Sequence, residues 1–156
     1  MAKFFASTTP AISEREKHNM ERARKIASQG MVLLSNNGVL PLKETGNIAL
    51  FGNGGRMTVK GGTGSGDVNS RSVVNVEQGL EEAGFTVTTK DWLGRYDTAV
   101  ADAKAAYGAE MKAAVEKGGG MPILYIFDNP FKEPPIPPVT GEDCRKAETD
   151  TALFVL

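Results

Sequence analysis

At 156 residues, with 40% hydrophobic and 24% charged side chains, the chain is long enough for one domain with a sizeable core. Its 18 basic and 19 acidic residues leave a formal net charge of −1 with no basic block, which argues against a nucleic-acid surface. No apolar run approaches the ~18 residues of a membrane span, the N-terminal M-A-K-F-F-A-S-T-T-P is too short for a signal-peptide core, and a single cysteine, Cys144, excludes an internal disulfide framework and points to the cytoplasm.

The first predicted element is a helix over Ser13 to Ser28. Ser13 and Glu16 match a capping box, Met20, Ala23, Arg24 and Ala27 follow at helical spacing, and Gly30 stops it. Met31 to Leu34 is a short apolar run that reads as strand or helix end, Asn36-Asn37-Gly38 marks a turn, and Val39 to Leu42 is extended around Pro41. Asn47 to Phe51 (N-I-A-L-F) is predicted as a buried strand. A glycine-rich stretch follows, then a helix over Ser72 to Ala83 with Val73, Val76, Leu80 and Ala83 on one face. Phe85 to Thr89 is β-branched and reads as a second strand, Asp97 to Lys117 as an alanine-rich helix, and Pro122 to Phe127 (P-I-L-Y-I-F) as a third strand. Four prolines make Phe131 to Pro138 an extended loop. Thr140 to Glu148 is a short helix capped by Thr140, and Thr151 to Leu156 (T-A-L-F-V-L) a fourth strand. Apolar strands alternating with helices predict an α/β layered sandwich with a largely parallel sheet. The sheet is expected to be incomplete, because the chain stops inside its last strand, as the front part of a longer polypeptide would. The unpaired edge of such a sheet points to pairing with a second copy of the chain.

The stretch Lys60 to Asn69 reads K-G-G-T-G-S-G-D-V-N, and Gly52, Gly54 and Gly55 lie just upstream. Glycines this dense imply unusual dihedrals or close approach of backbone to a ligand. A nucleotide P-loop would need Lys and Ser or Thr after its last glycine, where Gly66 is followed by Asp67 and Val68, and Asp67 would repel a phosphate. The dinucleotide fingerprint G-x-G-x-x-G finds no register here. A neutral polyhydroxylated ligand fits better, because Thr63, Ser65, Asp67 and Asn69 interleave hydroxyl, carboxylate and amide groups with glycines. The bland alternative is a tightly turned loop packed on another domain.

The succession A-R-K-I-A-S-Q-G-M-V-L-L-S-N-N-G-V-L-P-L, N-I-A-L-F-G-N-G and K-G-G-T-G-S-G-D-V-N, with E-P-P-I and E-T-D-T-A-L-F-V-L later, resembles glycoside hydrolase family 3. The resemblance is to the first part of that family's α/β sandwich domain and runs from about Ala23 to the end. Residues 1–22 are a helical lead-in and 23–156 the sandwich part, an order resembling the permuted members in which the sandwich precedes the barrel. The family implies a retaining β-glycosidase, β-glucosidase before β-xylosidase, acting on terminal β-linked sugars in oligosaccharides or glycosides through two carboxyl groups. The nucleophilic Asp belongs to a (β/α)8 barrel domain, absent here. The acid/base Glu follows the strand that Thr151 to Leu156 would form. No catalytic residue is therefore expected within the chain, which alone should be inactive, and no cofactor or metal is implied.

The glycine loop would be the substrate-side contribution, with Ser65 the first candidate for a sugar hydroxyl, Lys60, Thr63 and Asp67 next, and Gly62 and Gly64 letting the backbone approach the ring. His18 lacks a partner histidine or cysteine, Cys144 lies in a charged helix, and Asp128 after an apolar run reads as a cap. Trp92 reads as core before sugar platform. The competing classes are a non-catalytic carbohydrate-binding or interaction module and a nucleotide-binding α/β protein.

Overall fold

The structure, a computed structural model, describes residues 11–59, 61, 73–118 and 120–156. The chain divides into two units, Met1–Lys43 and Glu44–Leu156. In the first, α1 (Glu14–Gly30) begins with the expected capping box: Ser13 Oγ accepts the Glu16 N–H at 3.3 Å, and Glu16 Oε2 accepts the Ser13 N–H at 2.7 Å. None of its residues is buried. The Met31–Leu34 run is neither strand nor helix and is exposed throughout. After it, Asn36 Oδ1 accepts from the N–H groups of Gly38 and Leu40, which builds the predicted turn with Gly38 at φ 99°.

The second unit is built around β1 (Asn47–Phe51), the middle strand of a parallel sheet in the order β2-β1-β3. β2 (Thr86–Val87) pairs Asn47 with Thr86 and Ile48 with Val87. β3 (Ala152–Phe154) pairs Ala49, Leu50 and Phe51 with Ala152, Leu153 and Phe154. Ile48, Ala49, Leu50 and Phe51 are all buried, as expected for a central parallel strand covered on both faces. This is the α/β architecture with a parallel sheet that the alternating strand and helix pattern implies.

β2 is shorter than the Phe85–Thr89 prediction because the chain turns into a helix at Lys90. The buried Thr89 hydroxyl takes over the next rung, accepting the Leu50 N–H at 2.8 Å and donating to the Leu50 carbonyl at 2.7 Å. α2 (Val76–Glu82) starts at an Asn75 capping box with Gln78, and Gly84 at φ 94° ends the turn after it.

α3 runs over Lys90–Gly118, beginning seven residues before the prediction. Trp92, Leu93, Tyr96 and Val100 along its first turns are buried, and Gly94 does not interrupt it. Thr140 caps α5 (Gly141–Lys146), as predicted, and the cap is a full box in which Asp143 answers back to the Thr140 N–H. Arg95 of α3 donates to Asp143 Oδ1 at 2.7 Å. That guanidinium, with the Thr140 hydroxyl and N–H, holds the Asp143 carboxyl well below the usual carboxylate range.

Besides Met31–Leu34, a second predicted element is wrong. Pro122 to Phe127 is not a strand but the helix α4 (Pro122–Asp128). A six-residue apolar run carries no period that separates strand from helix. Pro122 occupies the first helical position, where its missing N–H costs nothing. Tyr125 packs its ring on Tyr107 of α3 with centroids 5.9 Å apart, so α4 extends the helical layer and adds no strand.

Candidate functional site

Strand order places the site. The chain passes from β1 to β2 on one side and returns as β3 on the other, so the carboxyl ends of β1 and β3 form a topological switch point, the place where open parallel sheets bind ligands.

The backbone there is tightly built. Phe51 accepts the Val155 N–H at 2.9 Å, and Gly54 donates to the Val155 carbonyl at 3.1 Å. Gly52 sits at φ 94°, ψ 151°, a region open essentially to glycine alone. A Cβ on Gly52 would lie 2.0 Å from the Val155 oxygen, and one on Gly54 2.6 Å from Val155 Cγ1. A single 3-10 turn, Asn53–Gly55, follows. The Met57 N–H then donates to the Asn53 carbonyl at 2.9 Å, and the Thr58 hydroxyl to the Gly54 carbonyl at 2.7 Å.

Arg56 leaves this turn into a cluster of carboxylates. Its Nε and Nη2 donate to Glu77 Oε2 and Oε1 at 2.5 and 2.9 Å, and its Nη1 to Asp97 Oδ2 at 2.6 Å. The Arg56 side chain is 24% exposed and that of Glu77 only 11%. The hydrogen bonds to Glu77 first, with Asp97 adding to them, raise the Arg56 pKa further above its ordinary range, and Arg56 in turn lowers that of Glu77. Beside the turn, the Tyr96 hydroxyl reaches Glu133 Oε2 and the Pro134 carbonyl, each at 3.4 Å, and burial raises its pKa.

The glycine-rich segment springs from this edge. Val59 is the last described residue before it, Gly61 the one described residue within it, and Val73 the first described after it. Lys60, Gly62, Thr63, Gly64, Ser65 and Asp67, the candidate sugar contacts, all lie outside the described residues. Of the discounted residues, Trp92 is core, 1% exposed and edge-on to Phe51. His18 is exposed on α1 and Cys144 on α5. Asp128 ends α4 and follows no strand. Among the described residues, no three His, Cys, Asp or Glu side chains gather as a metal site would require, and no helix is long and apolar enough to cross a membrane. Sequence reasoning missed the Arg56–Glu77–Asp97 cluster, whose one visible signal is an arginine closing the G-N-G-G-R run.

Residues 31–146 match the model of the glycosyl hydrolase family 3 C-terminal domain. The chain belongs to glycosyl hydrolase family 3. It is similar to "Beta-glucosidase" of Ruminococcus albus, 40% identical over 90 residues, which cover 57% of this chain and 9% of the relative. It is also similar to "Beta-glucosidase A" of Butyrivibrio fibrisolvens, 39% identical over 93 residues, or 58% of this chain and 11% of the relative. The chain thus spans about a tenth of the length of these relatives. No solved structure matches it.

Proposed function

We propose that the chain supplies one wall of the active site of a retaining β-glycosidase, with β-glucosidase as the activity and terminal β-linked glucosides as the substrates. The observation that carries this reading is the family match over residues 31–146, together with two relatives that are both named β-glucosidases. The origin of the glycine-rich segment at the carboxyl end of β1, beside the switch point, supports it.

Retaining hydrolysis needs a nucleophilic carboxylate and a second carboxyl group that protonates the leaving oxygen and then activates water. In this reading neither belongs to these residues. The chain contributes recognition: the Ser65 hydroxyl, with Thr63, Lys60 and Asp67, meets sugar hydroxyls, and Gly62 and Gly64 admit the ring to the backbone. A barrel domain of the same polypeptide completes the site, and this chain by itself turns over no substrate.

The test is Ser65→Ala in the hydrolase that carries this chain, assayed on aryl β-glucosides. One lost hydrogen bond to an uncharged hydroxyl is expected to raise KM by up to about tenfold, with a smaller change in kcat. Unchanged kinetics for Ser65→Ala and Thr63→Ala together would remove the sugar-contact role. Glucoside binding without any hydrolysis would favour the non-catalytic module.

A further inference from the structure

We propose that the cleft between α4 and the carboxyl-terminal half of α3 binds carbohydrate, with the end of a neutral β-linked gluco-oligosaccharide as its ligand. The choice of sugar rests on the β-glucoside reading above; the class of ligand rests on the cleft alone.

Helical spacing assembles the cleft. Tyr107 and Glu110 lie three residues apart on α3, and Tyr125 and Asp128 three apart on α4, so each helix presents a ring and a carboxylate side by side. α4 ends at Asn129, whose N–H donates to the Tyr125 carbonyl at 2.8 Å. The following residues bring Phe131 edge-on to Tyr107, with centroids 5.5 Å apart. Tyr107, Glu110, Tyr125, Asp128, Asn129 and Lys132 line a cavity of about 350 Å³, within the ~300–1,000 Å³ range of small-molecule sites. Val100 is the last buried residue of α3, and Tyr107 lies ~10 Å further along the helix axis. The cleft is therefore not part of the core that covers the sheet.

Two properties select the ligand. The Tyr107 ring is held before a ligand arrives, because its hydroxyl donates to the Asn129 carbonyl at 2.7 Å and it touches both Tyr125 and Phe131. A held ring offers an apolar surface at low ordering cost. The polar groups, in contrast, are uncommitted. The Glu110, Asp128 and Lys132 side chains and the Tyr125 hydroxyl have no hydrogen-bond or ion-pair partner among the described residues. Their charges are mixed: Lys132 opposes a cationic guest, and the two carboxylates oppose an anion. No third carboxylate, His or Cys among the described residues gathers with them, as a metal would require. A neutral ligand with an apolar face and many hydroxyls satisfies every group. Its C–H face stacks on a tyrosine, its O–H groups donate to Glu110 and Asp128, and the Lys132 ammonium donates to its oxygens.

The 156-residue chain has three tyrosines, Tyr96, Tyr107 and Tyr125, so fluorotyrosine labelling gives each its own fluorine NMR signal. Titration with cellobiose should shift the Tyr107 and Tyr125 signals saturably, with a Kd of about 1 mM, and leave the signal of buried Tyr96 in place. Glu110→Gln and Asp128→Asn, both at exposed positions, should each weaken binding by up to about tenfold with Tm unchanged. No saturable shift, or a Kd that neither substitution changes, would overturn the proposal. Shifts produced by inorganic phosphate or tetramethylammonium and not by cellobiose would overturn it too. Variant-sensitive cellobiose binding, alongside a full polypeptide that does not cleave aryl β-glucosides, would uphold the cleft and overturn the β-glucosidase reading. Cleavage without the tyrosine shifts would uphold that reading and overturn the cleft.

Discussion

Replacing Gly52 by alanine is expected to uncouple β3 from β1. Two penalties act together. The backbone at φ 94°, ψ 151° costs a residue with a Cβ about 1–3 kcal/mol even in open space. Space is also lacking, because the new Cβ would sit 2.0 Å from the Val155 oxygen and 2.8 Å from its carbon, both backbone atoms. Relief requires moving Val155, whose N–H is held by the Phe51 carbonyl and whose carbonyl is held by Gly54. The same shift therefore breaks the last rungs of the β1–β3 ladder. The combined loss should reach about 4 kcal/mol or more, within the short list of mechanisms that produce so large an effect. Gly54→Ala should cost less, because its first clash, at 2.6 Å, is with the Val155 side chain, which can turn. Urea denaturation of the two variants and the parent measures both. Equal midpoints for Gly52→Ala and the parent would show that the Val155 junction is not as described.

Trp92→Ala is expected to be the most costly truncation in the core. Trp92, Phe51 and Leu50 are the largest side chains fully withdrawn from water. The indole meets the Phe51 ring edge-on at 5.3 Å and 89°, in the arrangement that aromatic quadrupoles favour. Its loss opens a cavity between α3 and the central strand and should cost about 3–5 kcal/mol, comparable with the entire stability of a marginal domain. Trp92→Phe should cost much less. It retains most of the ring, and Nε1 has no hydrogen-bond partner among the described residues. Thermal unfolding monitored by circular dichroism gives the ordering. If Trp92→Ala changed sugar affinity and left stability intact, the residue would be a binding platform and its core assignment would fail.

The elements that were legible in sequence are those whose cause is local. The Ser13–Glu16 capping box is a four-residue pattern and the Thr140 cap a single side chain, and both form as read. The strand Asn47–Phe51 announced itself by four consecutive apolar residues within bounding glycines and has those bounds in the structure. Where the cause is tertiary, the sequence was ambiguous or silent. P-I-L-Y-I-F has the composition of a buried strand and becomes a helix because α3 offers Tyr107 to pack on and Pro122 suits a helix start. The early start of α3 reflects burial of Trp92, Leu93 and Tyr96 against the sheet. The Arg56 cluster joins positions 21 and 41 residues apart, and no local spacing encodes that. Gly52 could be noticed as a glycine, yet the need for glycine there comes from a strand about a hundred residues later. The contacts proposed for Ser65 and its neighbours came from their residue types and from the family resemblance, and they lie outside the described residues.

The central claim is that these residues recognise sugar while the reacting carboxylates belong to other parts of the polypeptide. Covalent trapping tests it most directly: the hydrolase carrying this chain is inactivated with a slow fluorinated β-glucoside, digested, and the glycosylated peptide sequenced. The expected result is one labelled carboxylate, an aspartate outside residues 1–156. A label on Asp128, Glu133 or any other carboxylate of this chain would contradict the account.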